Sequence, residues 1–192
     1  GGGATNPPLL LGKYPRQHSA PLLVSAQPLV VVVGPPAAGK TRVAKRLGKI
    51  FGVAVVDTDT LVSSRWGSIP DIFENQGEQF FREKERDAVT EALMTSGIVS
   101  LGGGAVLNPD TRRDLDQHRV ALITIDAASV AERLNNNKRP LLKGGLDSWK
   151  FLVTSREEFY ATVADREFDA SRRTVDSLTK DIATWIREDA GL

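Results

Sequence analysis

Residues 29–41 read LVVVVGPPAAGKT, an apolar run that opens directly into a glycine-rich loop. Two glycines separated by four residues and followed by lysine and threonine have the spacing of a phosphate-binding P-loop. In such a loop the backbone N–H groups wrap a phosphate chain, the lysine reaches the outer phosphates and the threonine hydroxyl ligates Mg²⁺. The stretch therefore predicts a nucleotide site formed by Gly34, Pro36, Ala37, Ala38, Gly39, Lys40 and Thr41.

The residues on both sides of this loop support the prediction. Valines 30–33 are typical of a buried strand, and the residues after the loop predict an amphipathic helix. Phosphate at the N-terminus of that helix would meet free N–H groups and the positive end of the helix dipole. A glycine-rich turn that arises by chance would lack both neighbours. The apolar residues at helical spacing are Val43, Ala44, Leu47 and Ile50.

Composition indicates one globular domain with one active site. The 192 residues are 41% hydrophobic and 26% charged, enough for a substantial core. A formal charge of +1 provides no global field for nucleic acid, so an anion site must be built locally. The lack of cysteine excludes thiolate catalysis and suits a reducing cytosol, so we expect a cytoplasmic protein. No apolar run of about 18 residues predicts a membrane span.

From Leu29 onward, apolar runs alternate with helical patterns. This alternation predicts a parallel sheet with helices on both faces and ligands beyond the carboxyl ends of its strands. Residues 1–28 contain five prolines and are interpreted as an N-terminal extension or linker, either disordered or docked as an arm, whereas 29–192 form the domain. After the first strand, the predicted strands are Val53–Val56, Ile98–Leu101, Val120–Ile125 and Arg166–Phe168.

Two aspartates, Asp57 and Asp59, follow the second predicted strand. One interpretation is that they cap the next helix. Beside a P-loop they have separate tasks available, one facing the water shell of Mg²⁺ and one facing a hydroxyl that is to be phosphorylated. If the segment is extended, alternation of its side chains points both carboxylates the same way.

Two further groups of residues follow along the chain. Arg82 and Glu85 share a helix face, either as a solvated ion pair or as part of a site. Three successive glycines, 102–104, follow the third strand and remove every Cβ from a surface where backbone N–H groups can meet a ligand. We therefore predict a ligand-facing loop there.

The segment from about residue 136 to 155 is charged and contains two adjacent glycines near its centre. Long insertions of this kind inside compact domains are usually functional lids. We predict a lid that is mobile without ligand and that brings Arg139 to the phosphates. The two histidines, His18 and His118, fall in predicted loops and have no metal-binding pattern around them.

Taken in order, the motifs GPPAAGKT, DTD, FRE, LGGGAV, KRPLL and the R-x-x-x-Y of residues 156–160 resemble those of the shikimate kinase family. The resemblance covers about residues 29–190. It implies a P-loop kinase fold of the nucleoside-monophosphate-kinase type, an α/β three-layer sandwich whose five-stranded parallel sheet has the order 2-3-1-4-5. It also implies transfer of the γ-phosphate of ATP to the 3-hydroxyl of shikimate, with Mg²⁺, in aromatic amino acid biosynthesis.

The resemblance further implies roles for individual residues. Catalysis falls to Lys40, Asp59 and Arg139, while Thr41 ligates Mg²⁺ and Asp57 reaches it through water. Arg133 and Arg173 match arginines beside the adenine, and Arg139 matches the lid arginine that binds ATP. The arginines of the substrate site take the shikimate carboxylate, and Glu85 orients them. The shikimate-binding residues are Asp59, Arg82, Glu85, Gly102, Gly103, Gly104 and Arg156.

Three other function classes are weighed against this reading. A GTPase switch needs an N-K-x-D signature, and the nearest stretch, residues 137–140, has proline where the aspartate belongs. A gluconate kinase would share the P-loop without needing Asp59, Arg82 and LGGGAV together. A nucleotide-binding module without catalysis is disfavoured because every matched charged group is present. We expect a monomer that binds ATP and shikimate, but neither nucleic acid nor membrane.

Overall fold

The computed structural model of the chain describes residues 26–137 and 144–192. The predicted N-terminal extension up to residue 25 lies outside the described residues, as does Arg139 of the predicted lid. In the described part, the strands are β1 (Pro28–Val33), β2 (Val55–Asp57), β3 (Gly97–Ser100), β4 (Val120–Thr124) and β5 (Arg166–Asp169). The helices are α1 (Lys40–Phe51), α2 (Thr58–Trp66), α3 (Ile69–Gln76), α4 (Glu78–Ala92), α5 (Pro109–Leu115), α6 (Ala127–Asn137), α7 (Gly145–Val163) and α8 (Val175–Ala190), with a 3₁₀ turn at Ala105–Leu107.

All five strands pair in parallel, in the order β2-β3-β1-β4-β5. The predicted fold class and strand order are confirmed. Because β1 is the central strand, the loop that follows it lies in the middle of the carboxyl edge of the sheet. Gly34 makes this arrangement possible, since a Cβ at that position would lie 2.3 Å from the carbonyl oxygen of Ile123 in β4.

The valines of β1 alternate between the two faces of the sheet, as a strand period of two requires. Val30 and Val32 face one core with residues of α1 and α8, whereas Val31 and Val33 face the other with residues of α4 and α7. The core face of α8 is formed by four large apolar residues that are all buried: Leu178, Ile182, Trp185 and Ile186.

A third, smaller apolar cluster joins α2, α3 and α4 beside the carboxyl edge of the sheet. Its buried residues include Val62 of α2 and Phe81 of α4. The extended conformation expected for 57–59 is wrong, because α2 begins at Thr58. Asp57 caps this helix by accepting a hydrogen bond from the Thr60 backbone N–H at 3.0 Å, so the capping interpretation is correct for Asp57, whereas Asp59 lies in the first turn of the helix.

Helix α7 includes the second half of the predicted lid. Within residues 145–155 this charged segment contacts the core, because Trp149 is buried at 4% exposure and the partly buried Leu146 and Val153 pack against the same cluster. None of the described helices combines the length and the apolar character that crossing a membrane would need.

Candidate active site

The P-loop, residues 34–41, joins β1 to α1 at the centre of the carboxyl edge. Gly39 precedes α1 with a φ of 90°, and no side chain caps the N-terminus of that helix. Ala37 also has a positive φ, 71°, although it is not glycine. The first N–H groups of α1 therefore face the loop without a side-chain acceptor, which is the arrangement that binds phosphate.

Three successive carbonyl groups of the P-loop each accept a hydrogen bond from a side chain, one from within the loop and two from other segments. Lys40 Nζ donates to the Pro35 carbonyl at 3.0 Å, and Trp149 Nε1 donates to the Pro36 carbonyl at 2.8 Å. Arg133 from α6 donates to the Ala37 carbonyl at 2.5 Å. These bonds hold the carbonyl groups of residues 35–37 in place.

The charged residues beside the P-loop influence one another strongly. Burial lowers the pKa of the Lys40 ammonium from 10.5 to about 8, even though the carboxylates of Asp59 and Asp57 oppose the change. The Thr41 hydroxyl donates to Asp57 Oδ2 at 2.9 Å. Lys40, Thr41 and the two aspartates, which sequence analysis assigned to one site, are therefore brought together.

Asp59 lies in the first turn of α2 and faces both the P-loop and α4. Burial raises the pKa of its carboxyl, and the nearby Asp57 raises it further, while Lys40 and Arg82 act in the opposite direction. The Asp59 carboxylate thus interacts electrostatically with Lys40 of the P-loop and with Arg82 of α4. Such a group can accept a proton more readily than an ordinary aspartate.

The glycine loop, residues 102–104, packs against three side chains of the site. A Cβ on Gly102 would lie 2.3 Å from Asp59 Oδ1, and one on Gly104 would lie 2.3 Å from an Arg82 terminal nitrogen. The Gly102 N–H donates to the Thr58 hydroxyl at 3.0 Å. The missing Cβ atoms therefore make room for side chains of the protein itself. The prediction of a ligand-facing loop with free N–H groups did not include these contacts.

Arg82 and Glu85 form a partly buried ion pair on α4 rather than a solvated one. Arg82 donates to Glu85 Oε1 at 2.9 Å, and Glu85 is only 4% exposed. Burial raises the pKa of Glu85, which the positive charge of Arg82 opposes. The Arg82 Nε is buried and has no hydrogen-bond partner among the described residues. This donor fits a ligand that supplies an acceptor.

Helix α7 contributes Arg156 and Tyr160 from the side opposite α4. The Tyr160 hydroxyl donates to the Gly103 carbonyl at 2.6 Å. Burial raises the pKa of Tyr160, and the charge of Arg156 opposes that change. The charge of Arg156 also acts on Lys40 and Glu85, so this arginine faces the same space as Arg82.

A cleft of about 400 Å³ lies beside the outer end of the P-loop, between α6 and the residues that precede α8. Arg133 and Arg173, the two arginines assigned to the adenine, both line it. Burial lowers the pKa of Arg133, and the charge of Arg42 lowers it further. Arg173 is paired with Asp181 of α8.

Sequence analysis missed three residues that the structure places at the site. Trp149, which holds the Pro36 carbonyl, was passed over inside a charged segment. Thr58 lies inside the DTD motif, but its role depends on a contact with Gly102, 44 positions away. Tyr160 was noted only as part of a motif. A helix face drawn through Trp149, Arg156 and Tyr160 would have indicated all of α7 as one contact surface.

Comparisons with known proteins identify the family of the chain. The family model for shikimate kinase matches residues 36–187. A shikimate kinase of Thermobifida fusca is 40% identical over 164 residues, which span 83% of this chain and 95% of that protein. One of Mycobacterium tuberculosis is 40% identical over 165 residues, with 83% of this chain and 94% of that protein covered.

Solved structures give the same result. A shikimate kinase from Acinetobacter baumannii in complex with shikimate superposes with a TM-score of 0.76 at 26% identity, covering 86% of this chain and 95% of that one. A gluconokinase from Sinorhizobium meliloti has a TM-score of 0.55 at 13% identity, which shows the shared fold alone. The chain therefore belongs to the shikimate kinase family, whose members are ATP-dependent phosphotransferases.

Proposed function

We propose that this protein transfers the γ-phosphate of ATP to the 3-hydroxyl of shikimate. The observation that carries the proposal is the position of Asp59, which lies between Lys40 of the P-loop and Arg82 beside the glycine loop. A hydroxyl bound at this carboxylate faces the phosphate end of the nucleotide site. Phosphoryl transfer requires mainly such positioning, together with neutralisation of charge.

ATP is assigned to the P-loop and the cleft beside it. The triphosphate would lie on the N-terminus of α1, and the base would enter the cleft lined by Arg133 and Arg173. Lys40 would then leave the Pro35 carbonyl and bind the phosphates, where its charge stabilises the transferring group. As the resemblance implies, Arg139 would bind the phosphates, and the lid around it would bring it to them.

The residues present fit a Mg²⁺ ion that accompanies ATP. The Thr41 hydroxyl and the Asp57 carboxylate lie together beside Lys40, and both are oxygen ligands of the kind that Mg²⁺ prefers. Among the described residues, no cluster of three or more histidines and acids could hold a metal alone. This pair suits Mg²⁺ in kinases, because that ion takes its other ligands from water and phosphate. When bound, Mg²⁺ supplies neutralisation of phosphate charge.

Shikimate is assigned to the space between α4, α7 and the glycine loop. Its carboxylate would pair with Arg82 and Arg156, two cations that face the same space and act on Glu85. The buried Arg82 Nε–H has no partner among the described residues, and guanidinium groups bind carboxylates in a bidentate manner. Glu85 holds Arg82 from behind, so the arginine is oriented before the substrate arrives.

In the proposed reaction, the 3-hydroxyl oxygen bonds to the γ-phosphorus while the bond from that phosphorus to the β–γ bridging oxygen breaks. Asp59 orients the hydroxyl and accepts its proton, and ADP leaves. The raised pKa of Asp59 improves its capacity as a base, and the positive charge of Lys40 remains directed at the phosphates. No covalent intermediate with the protein is needed.

A coupled ADP-release assay with shikimate, quinate, gluconate and nucleoside monophosphates tests the proposal. We expect turnover with shikimate, and the loss of that turnover in Asp59→Asn with retained ATP binding. Arg65→Ala is the matched control, because Arg65 pairs with Glu91 on the outer surface of α2 and α4. Turnover with gluconate instead of shikimate would refute the assignment. We also expect a monomer that works in the cytoplasm, which sedimentation and cell fractionation can check.

A further inference from the structure

Helix α7 makes a side-chain contact with each of the two loops that form the site. Trp149 Nε1 donates to the Pro36 carbonyl of the P-loop, and the Tyr160 hydroxyl donates to the Gly103 carbonyl of the glycine loop. The two aromatic residues are about three helical turns apart and lie on one face of the helix. A single rigid element is thus hydrogen-bonded to both halves of the site.

The two loops also touch each other. A Cβ on Gly103 would lie 3.1 Å from Pro36 Cδ, which places the proline ring directly against the glycine backbone. The contacts therefore form a closed circuit from Trp149 to Pro36, from Pro36 to Gly103, from Gly103 to Tyr160, and back along α7. A displacement of one loop changes the contact with the other loop or with the helix.

Arg156 lies inside this circuit. It is about two turns from Trp149 and one turn from Tyr160 on the same helix face. Its charge acts on Lys40 of the P-loop and on Glu85 of the substrate site. The placement of the Arg156 guanidinium thus depends on how α7 is held by both loops.

Packing alone does not account for the orientation of Trp149. The residue is 4% exposed and packs in a cluster that also contains the buried Trp185. Trp185 packs against Phe168 with ring centroids 5.6 Å apart and the rings tilted by 57°. Trp149 instead directs its indole N–H at a loop carbonyl, a contact that phenylalanine could not make. Trp185 therefore fills the core, whereas Trp149 also holds a loop in position.

We propose that Trp149 is a positioning residue that couples the P-loop to the shikimate site by holding α7, and with it Arg156, against Pro36. The identity of the substrates in this statement rests on the proposed function. Trp149 touches neither substrate in this arrangement. Its effect on shikimate is transmitted along α7 through Arg156 and Tyr160.

Trp149→Phe tests the proposal, with Trp185→Phe as the matched control. Phenylalanine keeps an aromatic ring in the core but removes the N–H donor and part of the indole ring, and Trp185→Phe matches that loss of volume at another buried tryptophan. We expect Trp149→Phe to raise the shikimate KM and lower kcat, with kcat/KM falling roughly three- to tenfold, the range for one neutral hydrogen bond. Trp185→Phe should leave kcat and KM unchanged, while it lowers Tm by about as much as Trp149→Phe does. Equal kinetics in the two variants would overturn the proposal.

A double-mutant cycle with Tyr160→Phe tests the circuit itself. If both residues hold the same helix, the two substitutions should be less than multiplicative in kcat/KM, because the first already loosens α7. Independent, fully multiplicative effects would contradict a circuit. Absence of shikimate turnover in the wild-type protein would instead refute the proposed function. Failure of the circuit and failure of the proposed function are therefore distinguishable.

A measurement on the wild-type protein avoids dependence on variants. The chain has three tryptophans, so its ¹H–¹⁵N spectrum contains three indole signals, which through-bond experiments on the wild-type protein assign to their residues. Adding shikimate alone should shift this signal more than that of Trp185, because shikimate binds at the other end of the circuit. No shift with shikimate would overturn the proposal, even if Trp149→Phe proved unstable.

Discussion

The two halves of the site are built in different ways. The nucleotide half consists mainly of backbone from one continuous stretch, the P-loop, together with the N-terminus of α1. The substrate half consists of side chains from separate elements, with Asp59 on α2, Arg82 on α4 and Arg156 on α7. The glycine loop packs between them and touches Asp59 and Arg82.

This difference implies different tolerances to substitution. Loss of one side chain in the nucleotide half leaves the backbone N–H groups that hold phosphate, so nucleotide binding should persist. Loss of one side chain in the substrate half removes a large share of the recognition of a small ligand, because few groups contact it. Substitutions in the two halves should therefore separate ATP binding from shikimate binding or turnover.

Lys40→Met is expected to have the largest effect. It removes the charge directed at the transferring phosphate but keeps the length of the side chain, so kcat should fall on the order of 10³-fold or more. Shikimate affinity, measured by calorimetry without nucleotide, should stay close to the wild-type value. Turnover near the wild-type rate would remove the P-loop lysine from the mechanism.

Asp59→Asn keeps the shape of the side chain and removes its capacity to accept a proton. We expect kcat to fall on the order of 10² to 10⁴, with ATP affinity retained. Because burial raises the pKa of Asp59, wild-type kcat should also decline with acid at a higher pH than an ordinary aspartate would allow. If this variant lost ATP affinity and kept its kcat, the assignment of Asp59 to the substrate half would be wrong.

Gly104→Ala probes the packing inside the substrate half. The backbone at Gly104 has φ −95°, which alanine adopts readily, so the effect is steric only. The new Cβ would lie 2.3 Å from an Arg82 terminal nitrogen and must displace the guanidinium. We expect the shikimate KM to rise about tenfold, part of the value of a charge-assisted hydrogen bond, with the ATP KM unchanged.

The control for this prediction is the same substitution in an Arg82→Ala background. With the guanidinium already removed, Gly104→Ala should have little further effect on the shikimate KM. An equal effect in both backgrounds would show that Gly104 acts through something other than Arg82.

A further prediction concerns the stability of the ligand-free protein. The pKa of Lys40 is about 8 in the folded protein against 10.5 when unperturbed, so the unfolded state binds more protons between these values and stability rises with pH there. Below about pH 8, charged Lys40 destabilises the fold. Lys40→Met should therefore be more stable than wild type near neutral pH, on the order of 1–3 kcal/mol.

Urea unfolding of both proteins across this pH range measures the difference. The gap in the free energy of unfolding should be largest below about pH 8 and shrink as the pH rises toward 10.5. A gap that does not change with pH would mean that the Lys40 ammonium is not destabilised by burial. The role of Lys40 on the phosphates would then be tested only by the turnover of Lys40→Met.

The same contrast explains what the sequence could predict. The P-loop is local, so its glycines, lysine and threonine could be read directly, and the alternating apolar runs predicted the sheet and its helices. The substrate half depends on contacts between distant residues, such as Trp149 and Pro36, which are 113 positions apart. The motif resemblance named Arg82 and Arg156, but spacing alone could not show that they face one space.

The glycine loop illustrates this limit most clearly. Three glycines after a strand predicted a close approach, and the structure contains one at each of them. The side chains that approach, Asp59, Pro36 and Arg82, come from three other segments and could be identified only in the folded protein. The conformation of Asp59 likewise depended on the start of α2 at Thr58, which the alternation argument missed.

Carboxylate recognition by the substrate half is the central claim of this account, and the methyl ester of shikimate tests it most directly. The measurement is the ratio of kcat/KM for the acid to that for the ester, in wild type, in Arg82→Ala and in the surface control Arg65→Ala. We predict a ratio of roughly tenfold or more in wild type and in the control, the value of a charge-assisted hydrogen bond, and a much smaller ratio in Arg82→Ala. Equal use of the acid and the ester by the wild-type enzyme would contradict the account.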